Sequence, residues 1–202
     1  MTDPVEPAPP PADRPRCGWA GDDPLYQRYH DDEWGVPLHG DRALFEKLSL
    51  EAFQSGLSWI TILRRREGFR DAFAGFEIDR VAAFDDGDIE RLLGDPGIIR
   101  NRAKVEATIA NARVLHDWTS AEPGALDELI WSFQPPARAQ RPDSLSEIPA
   151  QTDASRALAR ALKERGLRFV GPTTAYALMQ SAGLVDDHVS GCWRAEAGFP
   201  AR

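Results

Sequence analysis

Two cysteines lie near opposite ends of a 202-residue chain, and each has a histidine at ligand spacing: Cys17 with His30, and His188 with Cys192 four residues on. Together they could close a Cys2His2 zinc site that joins the two ends of the fold. Four such ligands leave no position open for water, so the ion would be structural and the chemistry would lie elsewhere. The plainer account is two buried free cysteines and two unrelated histidines, because a Cys-x12-His gap is not a standard finger spacing. Spacing alone leaves both accounts open.

A second constellation lies in the last forty or so residues. Leu158, Ala161 and Leu162 have helical spacing, Gly166 ends that helix, and Phe169-Val170-Gly171-Pro172-Thr173-Thr174-Ala175 opens another. Helix, tight hairpin and second helix are predicted. Gly171 allows backbone to come close to a ligand, and Pro172 suits a first helical turn, so the amides of Thr173 and Thr174 could bind a DNA phosphate. A bland connection between two packed helices would look much the same.

The elements that must position these groups read as helical nearly throughout, with no convincing strand alternation, so an all-α fold is expected. Asp41 can cap a helix that places Leu44, Phe45, Leu48 and Ala52 on one face; Trp59, Ile60, Leu63 and the arginines after it continue with a second. Further helices are predicted over 89–93, 103–118, 125–133 and 155–165. Residues 1–15, with Pro4, Pro7, Pro9, Pro10 and Pro11, read as a disordered acidic tail. Residues 16–202 read as a single domain of two helical lobes, with the helix–hairpin–helix near 155–183.

Composition narrows the class. The net charge of -8 argues mildly against a large nucleic-acid surface, although local patches can override it. The only lysines are Lys47, Lys104 and Lys163, and a general composition bias explains that scarcity as well as any function does. Two cysteines do not suggest a disulfide scaffold, and a reducing compartment fits. No apolar run is long enough to span a membrane and no signal-peptide core is visible, so a soluble intracellular protein is expected. The basic runs Arg64-Arg65-Arg66 and Arg100-Asn101-Arg102-Ala103-Lys104 are candidates for DNA contact, with solvated helix faces the usual alternative.

Read as a whole, the chain resembles the bacterial DNA-3-methyladenine glycosylase I family, a zinc-containing branch of the helix-hairpin-helix DNA glycosylases. The resemblance is carried by Cys17-Gly18-Trp19, Asp23-Pro24-Leu25-Tyr26, Tyr29-His30-Asp31-Asp32-Glu33-Trp34-Gly35-Val36-Pro37, Leu50-Glu51, Gln54-Ser55-Gly56-Leu57-Ser58-Trp59-Ile60, Gly97-Ile98-Ile99-Arg100, Trp131-Ser132-Phe133, Phe169-Val170-Gly171 and Asp187-His188-Val189. These segments run through the globular chain and leave out only the tail. The resemblance implies a structural zinc held by Cys17, His30, His188 and Cys192. It also implies a bacterial cytoplasmic monomer that binds alkylated double-stranded DNA.

What the resemblance implies about activity has a physical basis. Methylation at N3 gives adenine a positive charge and weakens its bond to the sugar, so the enzyme's task is mainly recognition. An electron-poor flipped base is well held between aromatic faces, for which Trp19, Tyr29, Trp34 and Trp59 are the candidates. Glu51 would accept from the exocyclic amine and favour the cationic base. Core packing is the ordinary use of such tryptophans, and is the reading for Trp131 and Trp193; a solvated helix position is the plainer account of Glu51. Leu57 would be a wedge entering the base stack, or else a buried staple at a helix start.

Asp186 has two possible roles. In Val185-Asp186-Asp187-His188 it either stabilises the oxocarbenium-like sugar or orients water as a catalytic group, or it braces the loop beside His188. The charged leaving group favours the second, and Asp187 reads as structural. No lysine stands in the hairpin or just after it, so hydrolysis without strand cleavage is expected. A zinc-stabilised module that binds DNA without catalysis is the alternative. A zinc hydrolase would need a free ligand position, which the four residues do not leave.

Overall fold

The structure is a computed structural model that describes residues 14–197. The tail expectation for residues 1–13 lies outside the described residues. Among the described residues there are eleven α-helices and no strand, in keeping with the all-α expectation.

Helix starts follow their capping chemistry. The Asp23 side chain accepts from the amides of Leu25 and Tyr26, and Pro24 fills the first position of α1 (Pro24–Asp32). Helix α2 (Asp41–Gln54) departs from expectation, because Gly40 with φ 94° is its N-cap and Asp41 is its first helical residue. The Asp41 carboxylate instead accepts from the amides of Gly124 and Asp127, orphan donors at the start of another helix. The segment after Trp59 divides into α3 (Trp59–Leu63) and α4 (Arg66–Ala72). Then come α5 (Ile78–Ala82), α6 (Asp86–Gly94), α7 (Arg102–Ala121) and α8 (Ala125–Trp131). A capping box of Thr152 and Ser155 starts α9 (Asp153–Glu164), followed by α10 (Pro172–Ser181) and α11 (Trp193–Ala197).

The core is built on phenylalanine. Phe45, Phe53, Phe69, Phe73 and Phe76 are fully buried, with the Phe53 and Phe69 rings 4.7 Å apart and Phe73 stacked on Phe76 at 5.4 Å. This cluster fixes α2, the helix that carries the site, and α10 packs against both α2 and α9. The hairpin between α9 and α10 is held from α7. Asn111 accepts from the Arg168 amide at 2.7 Å and donates to the Arg168 carbonyl at 3.1 Å. Arg14 and Pro15, assigned to the tail from the sequence, meet Trp193: the Arg14 guanidinium lies 4.4 Å from its ring, and its amide donates to the Pro15 carbonyl.

One glycine fixes how the end of α10 meets the loop after α1. Gly183 has φ 80°, and a Cβ there would stand 2.6 Å from the Gly35 carbonyl oxygen and 2.7 Å from the Pro37 nitrogen. Both obstacles are backbone, so neither can swing aside. Gly183→Ala is expected to lower unfolding stability by roughly 2 kcal/mol or more, through the left-handed penalty and the clash together. Urea denaturation measures it; a loss below about 0.5 kcal/mol, the size of a neutral surface change, would contradict this account.

Candidate active site and metal centre

Helix α2 turns one face toward a cavity of about 250 Å³. Glu51 and Gln54 come from this helix, Tyr26 and Tyr29 from α1, Trp59 from the start of α3, and Ala177, Gln180 and Ser181 from α10. Trp19 stands on the short turn before α1, Trp34 just after it, and Leu145 and Ile148 close the remaining side from the segment between α8 and α9. The four aromatic residues expected from the sequence thus share one cavity with Glu51. Trp19 is edge-on to Trp34 with centroids 5.1 Å apart, and Tyr29 lies 5.3 Å from Trp59.

Glu51 is buried, not solvated. The Ser181 hydroxyl donates to its Oε1 at 2.9 Å. Burial raises the Glu51 carboxyl above its ordinary value, while the charge of Lys47 and the Ser181 hydrogen bond pull it back toward ionisation. Lys47 lies one turn earlier on the same helix, is itself buried, and donates from Nζ to the Tyr29 hydroxyl at 2.9 Å. Lys47, Tyr26, Gln54, Gln180, Ser181, Leu145 and Ile148 are not among the site residues expected from the sequence. For Lys47 a signal existed: it is a rare lysine in an arginine-rich chain, four residues before a glutamate on a helix.

The metal candidates also converge. The ligand atoms of Cys17, His30, His188 and Cys192 all lie within 4.8 Å of one another, and all four residues are buried. Cys17 Sγ is 3.6 Å from His188 Nδ1, and Cys192 Sγ is 3.5 Å from His188 Nδ1 and 3.4 Å from His30 Nε2. Tetrahedral geometry with metal–sulfur bonds of about 2.3 Å and metal–nitrogen bonds of about 2.05 Å requires sulfur–nitrogen separations of roughly 3.5 Å. The cluster fits a metal ion. Hydrogen bonding from Cys17 lowers the Cys192 thiol strongly against its burial, with His188 and His30 assisting, while the contact with Cys192 and burial raise Cys17. A cation between the two sulfurs would relieve the cost of holding both as thiolates side by side.

A further layer of contacts orients these ligands. His30 Nδ1 donates to Asp31 at 2.8 Å, and Asp31 also accepts from Arg16 and from the Trp193 indole. Asp186 Oδ1 accepts from the His188 amide at 3.2 Å, and its Oδ2 pairs with Arg141 at 2.7 Å. Asp186 lines a different cavity, which it shares with Arg138, Arg141 and Val185. Asp187 is buried against Tyr176, Gln180 and Arg138, at 2.6, 2.9 and 2.9 Å.

Leu57 and Phe169 are large apolar side chains at the surface, 42% and 43% exposed. Leu57 sits in the turn between α2 and α3, where Lys104 Nζ donates to the carbonyls of Phe53 and Ser55, each at 2.8 Å. Gly171 is the N-cap of α10, and a Cβ there would meet nothing within 4 Å, so the backbone is open to approach. Thr173 and Thr174 stand in that first turn, behind Pro172. The basic runs are largely engaged within the fold: Arg64 pairs with Asp23, Arg66 with Glu33, and Arg102 with Glu90.

A helical hairpin beside an aromatic cavity with a buried carboxylate in its wall is the architecture of the helix-hairpin-helix base-excision glycosylases. The chain belongs to the methyladenine glycosylase family, whose sequence profile matches residues 19–195. It is 50% identical over 181 residues to DNA-3-methyladenine glycosylase 1 of Escherichia coli (strain K12), covering 88% of this chain and 95% of that protein. It is 45% identical to DNA-3-methyladenine glycosylase of Haemophilus influenzae, covering 88% of this chain and 96% of that one. Among solved structures, a 3-methyladenine DNA glycosylase I matches with TM-score 0.84 and 48% identity, covering 89% of this chain and 98% of that one. The Staphylococcus aureus enzyme, solved for its 3-methyladenine recognition, matches with TM-score 0.81 and 35% identity, over 88% and 95% of the two chains.

A metal held by the Cys2His2 cluster would carry a stability prediction. Stripping metal with a strong chelator is expected to lower the melting midpoint by on the order of 10 °C, the shift for about 4 kcal/mol in a domain of this size. Calorimetry with and without added metal reads it. An unchanged midpoint in protein shown to lose bound metal would reduce the cluster to packing.

Proposed function

We propose that the chain excises 3-methyladenine from alkylated double-stranded DNA, hydrolysing the N-glycosidic bond and leaving an abasic site. The observation that carries this reading is Glu51, a buried carboxylate in the wall of an aromatic cavity, held by Ser181. A carboxylate so placed costs desolvation energy, and a cationic base is the ligand that repays it. Trp19, Tyr29, Trp34 and Trp59 supply the faces for that base, and Glu51 accepts from its exocyclic amine. Neutral adenine gains less from both.

The N9–C1′ electron pair leaves with the base and cancels its charge. Water adds to the sugar carbon and passes one proton to bulk water. The charged leaving group lowers the need for a strong base, which agrees with Asp186 being engaged by Arg141 and the His188 amide. Asp186 therefore serves to brace the ligand loop. Leu57 is the wedge that fills the gap left by the flipped nucleotide, and the amides of Thr173 and Thr174, with the open backbone at Gly171, receive a phosphate. The metal at Cys17, His30, His188 and Cys192 is a structural zinc, since all four positions are taken by protein. A module that only binds DNA would have no use for a buried carboxylate among aromatic rings.

Release of free base from methylated duplex DNA under single-turnover conditions tests the reading. Wild-type protein is expected to release 3-methyladenine, and Glu51→Gln to release it about a hundredfold more slowly, the usual scale for a lost transition-state contact. Folded, metal-replete protein that binds DNA but releases no base would sink the enzyme reading.

The same assay has a signed pH dependence. Because burial raises the Glu51 carboxyl, the carboxylate is lost at a higher pH than in an exposed glutamate. Release should fall as pH drops through that raised value, and Glu51→Gln should show no such acid limb. A wild-type profile whose acid limb persists unchanged in Glu51→Gln would assign the limb to another group.

A further inference from the structure

The reading above leaves one buried charge unused. Lys47 has its ammonium 4.8 Å from the centroid of Tyr29 and 4.9 Å from that of Trp59, the two rings that separate it from the base cavity. It lines a second cavity of about 210 Å³ behind them, with Glu33, Glu46, Arg66 and Ser181. Its effect on a bound base must therefore pass through Tyr29, through Trp59, or through its field. Burial lowers the Lys47 ammonium, and the nearby charge of Glu51 is the largest influence holding it ionised. An ammonium at such a position is costly where an apolar side chain would fill the same volume.

Hydrogen-bond accounting gives the charge a use. An ammonium can only donate, so in the Lys47–Tyr29 contact the tyrosine oxygen is the acceptor. Among the described residues the Tyr29 hydroxyl makes no other hydrogen bond, and its own proton is left for an acceptor in the cavity that the residue lines. We infer that Lys47 is a positioning residue that sets the Tyr29 hydroxyl as a hydrogen-bond donor to the departing base. As the N9–C1′ bond breaks, its electron pair passes to the base, whose ring nitrogens become better acceptors. A donor already aimed at them strengthens along the reaction, and a neighbouring ammonium polarises it further. The ammonium also repels the cationic base more than the neutral one that leaves. Both effects favour departure.

This inference rests on the glycosylase reading, and a four-way comparison separates the two. Single-turnover release of 3-methyladenine from methylated duplex DNA is measured for wild type, Lys47→Met, Tyr29→Phe and the double variant. Lys47→Met, which nearly conserves volume, should slow release roughly tenfold, the scale of one charge-assisted hydrogen bond. It should have little further effect once Tyr29 is Phe, because the group it acts through is gone. Lys47→Gln, which keeps an N–H donor without the charge, should recover part of the loss. The same cycle run with Lys47→Gln serves if Lys47→Met does not fold, as judged by thermal melting. Equal losses in both Tyr29 backgrounds, or full activity in folded Lys47→Met, would overturn the inference. Failure of the wild type to release base would overturn the glycosylase reading instead.

Discussion

The structure depends on one long-range closure: Cys17 and His30 from the beginning of the fold meet His188 and Cys192 from its end. The two histidines also meet the tryptophans of the cavity wall. The Trp34 ring meets His188 edge-on at 4.6 Å, His30 lies 5.3 Å from Trp19, and the two imidazoles are 4.9 Å apart. The aromatic wall of the cavity therefore rests on the Cys2His2 cluster. A side chain has to be braced from behind if it is to hold a flat ligand in one orientation, and here the brace is the buried Cys2His2 cluster. The proposed structural zinc would thereby serve recognition without touching the base.

The opposite side of the cavity is held by charge. Glu51 and Lys47 lie one turn apart on α2, both buried, each moderating the cost of the other. Such a pair contributes little to folding compared with apolar residues of the same size. In the proposed roles it presents to the cavity an acceptor at Glu51 and an oriented hydroxyl at Tyr29. The phenylalanine cluster around Phe45 and Phe53 supplies the apolar burial that offsets this expense on the same helix.

Much of this was legible in the residues. Cysteine is so scarce in the chain that Cys17 and Cys192 stood out at once, and the Gly166 and Gly171-Pro172 signals located the hairpin. Periodicity found α7 and α9 to within a few residues. It missed α1, whose buried face is Tyr29, His30 and Asp31, a set that no apolar pattern marks because its burial comes from ligand and hydrogen-bond roles. Asp41 was misjudged as a cap because its partners are amides more than eighty residues away. Ser181, Gln180 and Leu145 reach the cavity only through tertiary packing, and their types carry no advance notice of it.

Lys104 joins two of these features. By donating to the Phe53 and Ser55 carbonyls, it fastens the end of α2 to the start of α7, and so fixes the turn that carries Leu57. Glu51 lies six residues before Leu57 on that same clamped element. In their proposed roles as wedge and recogniser, Leu57 and Glu51 are two marks on one rigid ruler. With those roles, the step along the duplex at which the stack is probed would be the step at which the displaced base is inspected, and neither could drift by a nucleotide without the other.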